Sequence, residues 1–206
     1  VMTTEMKNRS QLKRQAIIDA AKRMFKDIGV TASSMDKLAE EAQVSKRTVY
    51  NHFATKEALV THLVSELWQD AMIKNQGRYQ SSIALDSQLA AIMLTEIEVI
   101  NSQEHIDLAR VAIGHLFYSR DEMTREIEKM KQQETALIRW IKAAQADNKL
   151  QLDDANFASD QLMSLLKGHC FWPQVLTCKP ILTDVERQHL AHETAQMFLS
   201  RYQVAS

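Results

Sequence analysis

The 206-residue chain is short of glycine, proline and cysteine, with four, two and two residues respectively. Average usage of roughly 7% glycine and 5% proline would give many more sharp turns, so a fold of short strands and hairpins is disfavoured and helix is expected. Cys170 and Cys178 are too few for a disulfide framework. With a polar, charged N-terminus that lacks an apolar h-region, they predict reduced thiols and no secretory leader. Long apolar runs are missing too: the longest, Leu89 to Leu94, is far too short to span a bilayer. A soluble, cytoplasmic protein without membrane contact is expected, and Val1 ahead of Met2 is expected to be a cloning remnant.

The chain also lacks net charge, at −1, which by itself argues against a nucleic-acid partner. The distribution argues for one. Residues 1–60 carry 11 Lys and Arg against 7 Asp and Glu, so a basic N-terminal third precedes an acidic remainder.

Within that third, residues 34–53 read SMDKLAEEAQVSKRTVYNHF. Met35, Leu38, Ala39 and Ala42 recur at helical spacing after Ser34, a good N-cap. Val44 sits at the turn, Ser45 caps a second helix, and that helix commits only Val49 and Phe53 to a core. The rest of its surface is Lys46, Arg47, Thr48, Tyr50, Asn51 and His52, the mix that meets phosphates and base edges in a major groove. Lys46, Thr48, Tyr50 and Lys56 suit phosphate, because ammonium groups and hydroxyls both donate to it. Arg47 and Asn51 suit base edges, since Arg can bridge guanine O6 and N7 and Asn can pair with adenine. His52 either contacts phosphate or packs at the helix end. With the two caps, Ser34 and Ser45, these form the expected DNA-binding set; the simpler alternative is an ordinary solvated helix face.

Leu12 to Leu59 resembles the N-terminal domain of the TetR family of bacterial transcriptional regulators. The matching pieces are IIDAAKRMFKDIGV (17–30), the helix-turn-helix at 34–53, and ATKEALV (54–60). Where many relatives have glycine after the lysine, this chain has Arg47. The segment KLQLDDANFASDQLMSLLKGHCFWPQVL (149–176) resembles, more weakly, the AefR-like group of C-terminal domains. The resemblance implies an all-α fold of about nine helices: a DNA-binding three-helix bundle at 10–56, and an effector-binding and dimerisation bundle at 57–206. It also implies a homodimer on a palindromic operator, most often a repressor, released by a small apolar or amphipathic effector. No cofactor or enzymatic activity is expected, since no catalytic constellation, phosphate loop or metal motif is present.

Further along, periodicity predicts helices at about 11–28 (ended by Gly29), 56–76, 89–100 and 106–119. A long helix is expected at 119–147, opened by the capping box Ser119 to Glu122, then others at 154–172, stopped by Pro173 or shortly after it, and 183–202, opened by Thr183 to Glu186. Trp68, Met72, Met93, Ile97, Phe117, Tyr118, Trp140, Phe171 and Trp172 are candidates to line an effector cavity, although core packing is the simpler reading of any one of them. His115 and His169 could likewise donate to a ligand or be satisfied core histidines. His189 and His192 lack a third ligand at metal spacing. The apolar stripes Phe157, Leu162, Leu165, Leu166 and Leu190, Met197, Phe198 predict that the last two helices pair with those of a second copy. A rival reading is an architectural protein that uses the same fold to bind DNA without an effector.

Overall fold

A computed structural model describes residues 2–116, 125, 128–129 and 133–204. Its described residues form helices throughout: α1 (Met2–Ala32), α2 (Met35–Glu41), α3 (Lys46–His52), α4 (Lys56–Lys74), α5 (Leu85–Ile100), α6 (Gln103–Leu116), α7 (Ala136–Ala146), α8 (Ala155–Cys170), α9 (Trp172–Thr177) and α10 (Asp184–Tyr202). By packing, the chain divides into two compact units, Val1–Leu67 with Asp107–Met130, and Trp68–Ile106 with Lys131–Ser206. The units interleave in sequence because the divisions fall within α4 and α6.

The first unit closes around Ile17, Ile18, Phe25, Leu38, Val49 and Leu59, with Leu108 of α6 joining them. These positions fall at helical spacing, so each short helix contributes one apolar face to a shared core. The second unit is centred on Leu89, Met93, Ile97, Trp140, Leu162 and Phe198. Two buried amides connect its pieces. Gln88 donates to the carbonyls of Gln80 (2.8 Å) and Ile83 (2.7 Å), and its Oε1 accepts from Gln80 N–H (2.8 Å) and Trp140 Nε1 (3.2 Å). The loop before α5 is thereby fastened to α7. Asn101 donates to Cys170 O at 2.6 Å and accepts from Leu182 N–H at 2.8 Å, joining the ends of α5 and α8 to the segment before α10.

Helix ends show where local sequence cues succeeded and where they misled. Gly29 takes φ 77°, ψ 164°, a region open to glycine, and breaks α1 there, although α1 begins at Met2 rather than Gln11. With few glycines available, other residues take the left-handed conformation after helices: Gln43 (φ 53°), Asn148 (φ 56°) and Cys178 (φ 54°). The expected helix 119–147 is corrected: Gln133–Thr135 is not helical, and Thr135 N-caps α7 by accepting from Ile138 N–H at 3.2 Å. The capping box at Ser119 lies outside the described residues. Pro173 does not stop α8, which ends at Cys170; the proline instead occupies the first turn of α9, where its missing N–H has no helical partner to lose. The capping box at Thr183 and Glu186 is present.

Candidate nucleic-acid interface

The turn between α2 and α3 is built by hydrogen bonds rather than by glycine. Gln43 N–H reaches Glu40 O and Val44 N–H reaches Ala39 O, both at 3.0 Å, which is a Schellman arrangement with Gln43 left-handed. Val44 then packs against the core of the first unit. Ser34 caps α2 by accepting from Lys37 N–H at 3.1 Å, and Ser45 caps α3 by accepting from Thr48 N–H at 3.2 Å. The Ser45 and Thr48 hydroxyls also meet at 2.8 Å, fixing the start of α3.

On α3, Val49 and Phe53 at its C-cap are buried, whereas Lys46, Arg47, Tyr50 and Asn51 are exposed and Thr48 and His52 are half-buried. One polar face is thus presented and one apolar edge anchored. Two residues that carry no motif in the sequence hold that anchor. Arg14 of α1 lies with its guanidinium carbon 4.8 Å from the Phe53 ring centroid, and its Nη1 donates to His62 Nε2 of α4 at 3.1 Å. Because a guanidinium only donates, Nε2 accepts and this imidazole is neutral. Burial and the Arg14 charge lower the His62 pKa from its ordinary value, consistent with that state.

Charge on this face is partly neutralised from within. Lys46 Nζ pairs with Asp36 of α2 at 2.7 Å, a hydrogen bond that raises the Lys46 pKa on an exposed surface. Lys56, expected on phosphate, donates to the carbonyls of Val30 (2.6 Å) and Ser33 (3.0 Å), so two of its three donors close the end of α1.

The expected effector residues are divided between the core of the second unit and its half-buried or exposed margin. Met93, Ile97 and Trp140 are fully buried and packed in the core of the second unit. Phe171 is half-buried against that core, Trp172 is 45% exposed, and Met72 is half-buried. Trp68, also half-buried, donates from Nε1 to Gln133 at 3.2 Å. Phe117 and Tyr118 lie outside the described residues. His169 lines a groove of about 430 Å³ between α8 and α10, together with Leu165, Leu182, His189, Leu190 and Met197. Among the residues expected at an effector, only His169 lines that groove; none of the nine apolar and aromatic candidates is among its lining residues. The stripes expected to pair two copies also divide: Leu162, Leu166 and Phe198 are buried within the chain, while Phe157, Leu165 and Met197 stay exposed. Among the described residues, no helix is long and apolar enough to cross a membrane.

Residues 17–63 match the model of bacterial regulatory proteins of the tetR family, and residues 87–204 match that of the AefR-like transcriptional repressor C-terminal domain. A solved TetR family transcriptional regulator from Pseudomonas syringae pv. tomato is 34% identical, with 94% of this chain and 98% of that one covered, at a TM-score of 0.79. The flavonoid-responsive regulator FrrA shares the fold at 24% identity and a TM-score of 0.74, covering 94% of this chain and 98% of its own. The regulator AcrR of Shigella flexneri is 35% identical over 33% of this chain and 30% of its own. The curated relatives are matched over only about a third to a half of their length, between 30% and 52%. A helix-turn-helix with this face, on a body matched over more than half its length, makes the chain a member of the TetR family of DNA-binding transcriptional regulators.

Proposed function

We propose that this regulator is a repressor that binds a palindromic operator as a homodimer and leaves it when a small amphipathic molecule occupies the second unit. The observation that carries the reading is α3: its apolar residues are buried while Lys46, Arg47, Tyr50 and Asn51 are exposed together. In this reading Lys46, Thr48 and Tyr50 hold phosphates, with the caps Ser34 and Ser45 at the helix starts. Arg47 and Asn51 read bases, and His52 closes the contact at the helix end. Lys56 acts first as a structural residue, with one donor left for phosphate.

The exposed apolar residues Leu165 of α8 and Met197 of α10, which line the groove between those helices, and exposed Phe157 near the start of α8 support pairing with the same surface of a second copy. A dimer would place two α3 helices in successive major-groove faces about 34–36 Å apart. An effector that binds more tightly to a conformer with altered spacing lowers operator affinity by its difference in affinity for the two states. Repression is supported by the AefR-like repressor domain that residues 87–204 match. A small-molecule effector is supported by the flavonoid response that FrrA's name records. Selection of bound sequences from random DNA should return a palindrome, and a metabolite panel should then release it. Equal affinity for all sequences would overturn the reading.

A further inference from the structure

Phe53 holds the C-terminal end of α3 to the first unit. It is the C-cap of that helix, its N–H donates to Val49 O at 2.8 Å, and its ring is buried. Two groups from different helices meet that ring. The guanidinium carbon of Arg14 on α1 lies 4.8 Å from its centroid, and the imidazole of His62 on α4 lies 5.5 Å from it, tilted by 40°. The 3.1 Å hydrogen bond from Arg14 Nη1 to His62 Nε2 closes the triangle. A guanidinium is attracted to an aromatic face, and here a fixed acceptor on His62 holds one of its five donors beside that face. Nε2 accepts only while the imidazole is neutral; a proton there turns the acceptor into a donor that faces a second cation. The other charges acting on His62 are Lys22 of α1 and Glu66 of α4. They pair with each other at 3.0 Å and act on His62 in opposite directions, which leaves Arg14 as its largest charged influence.

We propose that Arg14 and His62 are positioning residues for operator recognition: neutral His62 keeps the Arg14 guanidinium on Phe53, which fixes the end of α3 that carries Asn51 and His52, and a proton on His62 releases it. This rests on the reading that α3 meets an operator. A displaced helix end keeps its charges and loses its aim. Base edges are read by directional hydrogen bonds, whereas attraction to the phosphate backbone depends mainly on charge. Acid therefore erodes the preference for one sequence before it erodes affinity for DNA in general. Burial and the Arg14 charge lower the His62 pKa from 6.5, so the clamp is intact at neutral pH and opens only below that value.

The test compares a duplex selected from random DNA by the full-length protein with a scrambled duplex of the same composition. Both are titrated by fluorescence anisotropy between about pH 7.5 and about pH 5 at constant ionic strength. The ratio of the two affinities should fall about fivefold or more across that range in the unaltered protein. His62→Gln offers Arg14 an amide oxygen and cannot titrate, so it should keep the ratio at neutral pH and hold it flat in acid. His52 and His105 are intact in that variant, so neither can account for the difference. Arg14→Met keeps an apolar stem beside Phe53 and should lower the ratio at neutral pH by a similar factor, with a flat profile. The proposal falls if the ratio of the unaltered protein does not change with pH, or if it falls as steeply in His62→Gln. It falls equally if Arg14→Met weakens both duplexes alike, which would make Arg14 a phosphate contact. Should His62→Gln not fold, a ratio that still drops with acid in Arg14→Met overturns it. A selected sequence with a ratio independent of pH removes only this assignment; failure to select any sequence at neutral pH removes the operator reading with it.

Discussion

Three side chains on or beside α3 have separable roles. Arg47 is exposed at the first turn of α3, the part of a reading helix that enters the groove. Arg47→Ala should cost about 1–3 kcal/mol of operator affinity and relax preference at one position per half-site. Binding to single-base operator variants checks this, and a uniform loss across variants would make Arg47 a phosphate clamp instead. Lys46 is paired with Asp36 at 2.7 Å, so in the proposed DNA complex Asp36 would compete with phosphate for it. Removing that competitor in Asp36→Asn should therefore strengthen binding to all sequences alike, by about two- to fivefold at low salt, as measured by fluorescence anisotropy. Lys56 differs, because its ammonium closes carbonyls. Lys56→Ala should lower folding stability by about 1–3 kcal/mol in denaturant melts; a normal melt with weakened DNA binding would return Lys56 to the phosphate set.

At the scale of elements, scarcity of glycine has left strain in the helix-turn-helix itself. Gln43 holds φ 53° at the Schellman turn, where a side chain costs about 1–2 kcal/mol relative to a right-handed residue. Glycine would relieve that cost against roughly 0.5–1 kcal/mol of added chain entropy. Gln43→Gly should accordingly stabilise the protein by roughly 0.5–1 kcal/mol, read as a higher denaturation midpoint. Asn148→Gly, at the same kind of turn after α7, should gain less, because asparagine tolerates the left-handed region. The reverse order of gains would mean that the Gln43 side chain contributes contacts that offset its strain.

For the whole molecule, half-buried His105 should make stability depend on pH. Burial, with a smaller effect from the Lys167 charge, pushes the His105 pKa down from 6.5 to about 4. Between those values the unfolded chain takes up a proton that the fold refuses. Stability therefore falls as pH drops from about 6.5 to about 4, by on the order of 3 kcal/mol, and levels off below. Glu96 acts in the opposite sense: burial raises its pKa, so its ionised form is disfavoured in the fold and acid relieves that cost. Glu104 and Lys74, the other charges acting on His105, pull its pKa in opposite directions. Comparing denaturant melts at pH 7 and pH 4.5 for the unaltered protein and His105→Phe isolates the histidine. A pH response that persists in His105→Phe would assign it to other groups.

Local signals in this chain were sufficient to determine that it is helical and where its DNA-reading element lies. Ser34, Ser45 and Thr183 act on N–H groups no more than three residues away, and Val49 and Phe53 share a face by helical geometry alone. Such relations need no knowledge of the rest of the fold. Thr135 carries the same kind of signal, but the charged stretch before it continues a helical pattern and masks it. What the tertiary structure decided depends on residues far apart in sequence. Periodicity marks Leu162 and Leu165 alike as apolar, yet only packing against α5 and α10 buries the first and leaves the second outside. A lysine beside a reading helix suggests phosphate, until a carbonyl 26 residues earlier claims it. His105 carries no motif at all; its Nδ1 is buried and its ring packs on Phe171 only because the chain is folded, and desolvation is a property of those surroundings rather than of the residue.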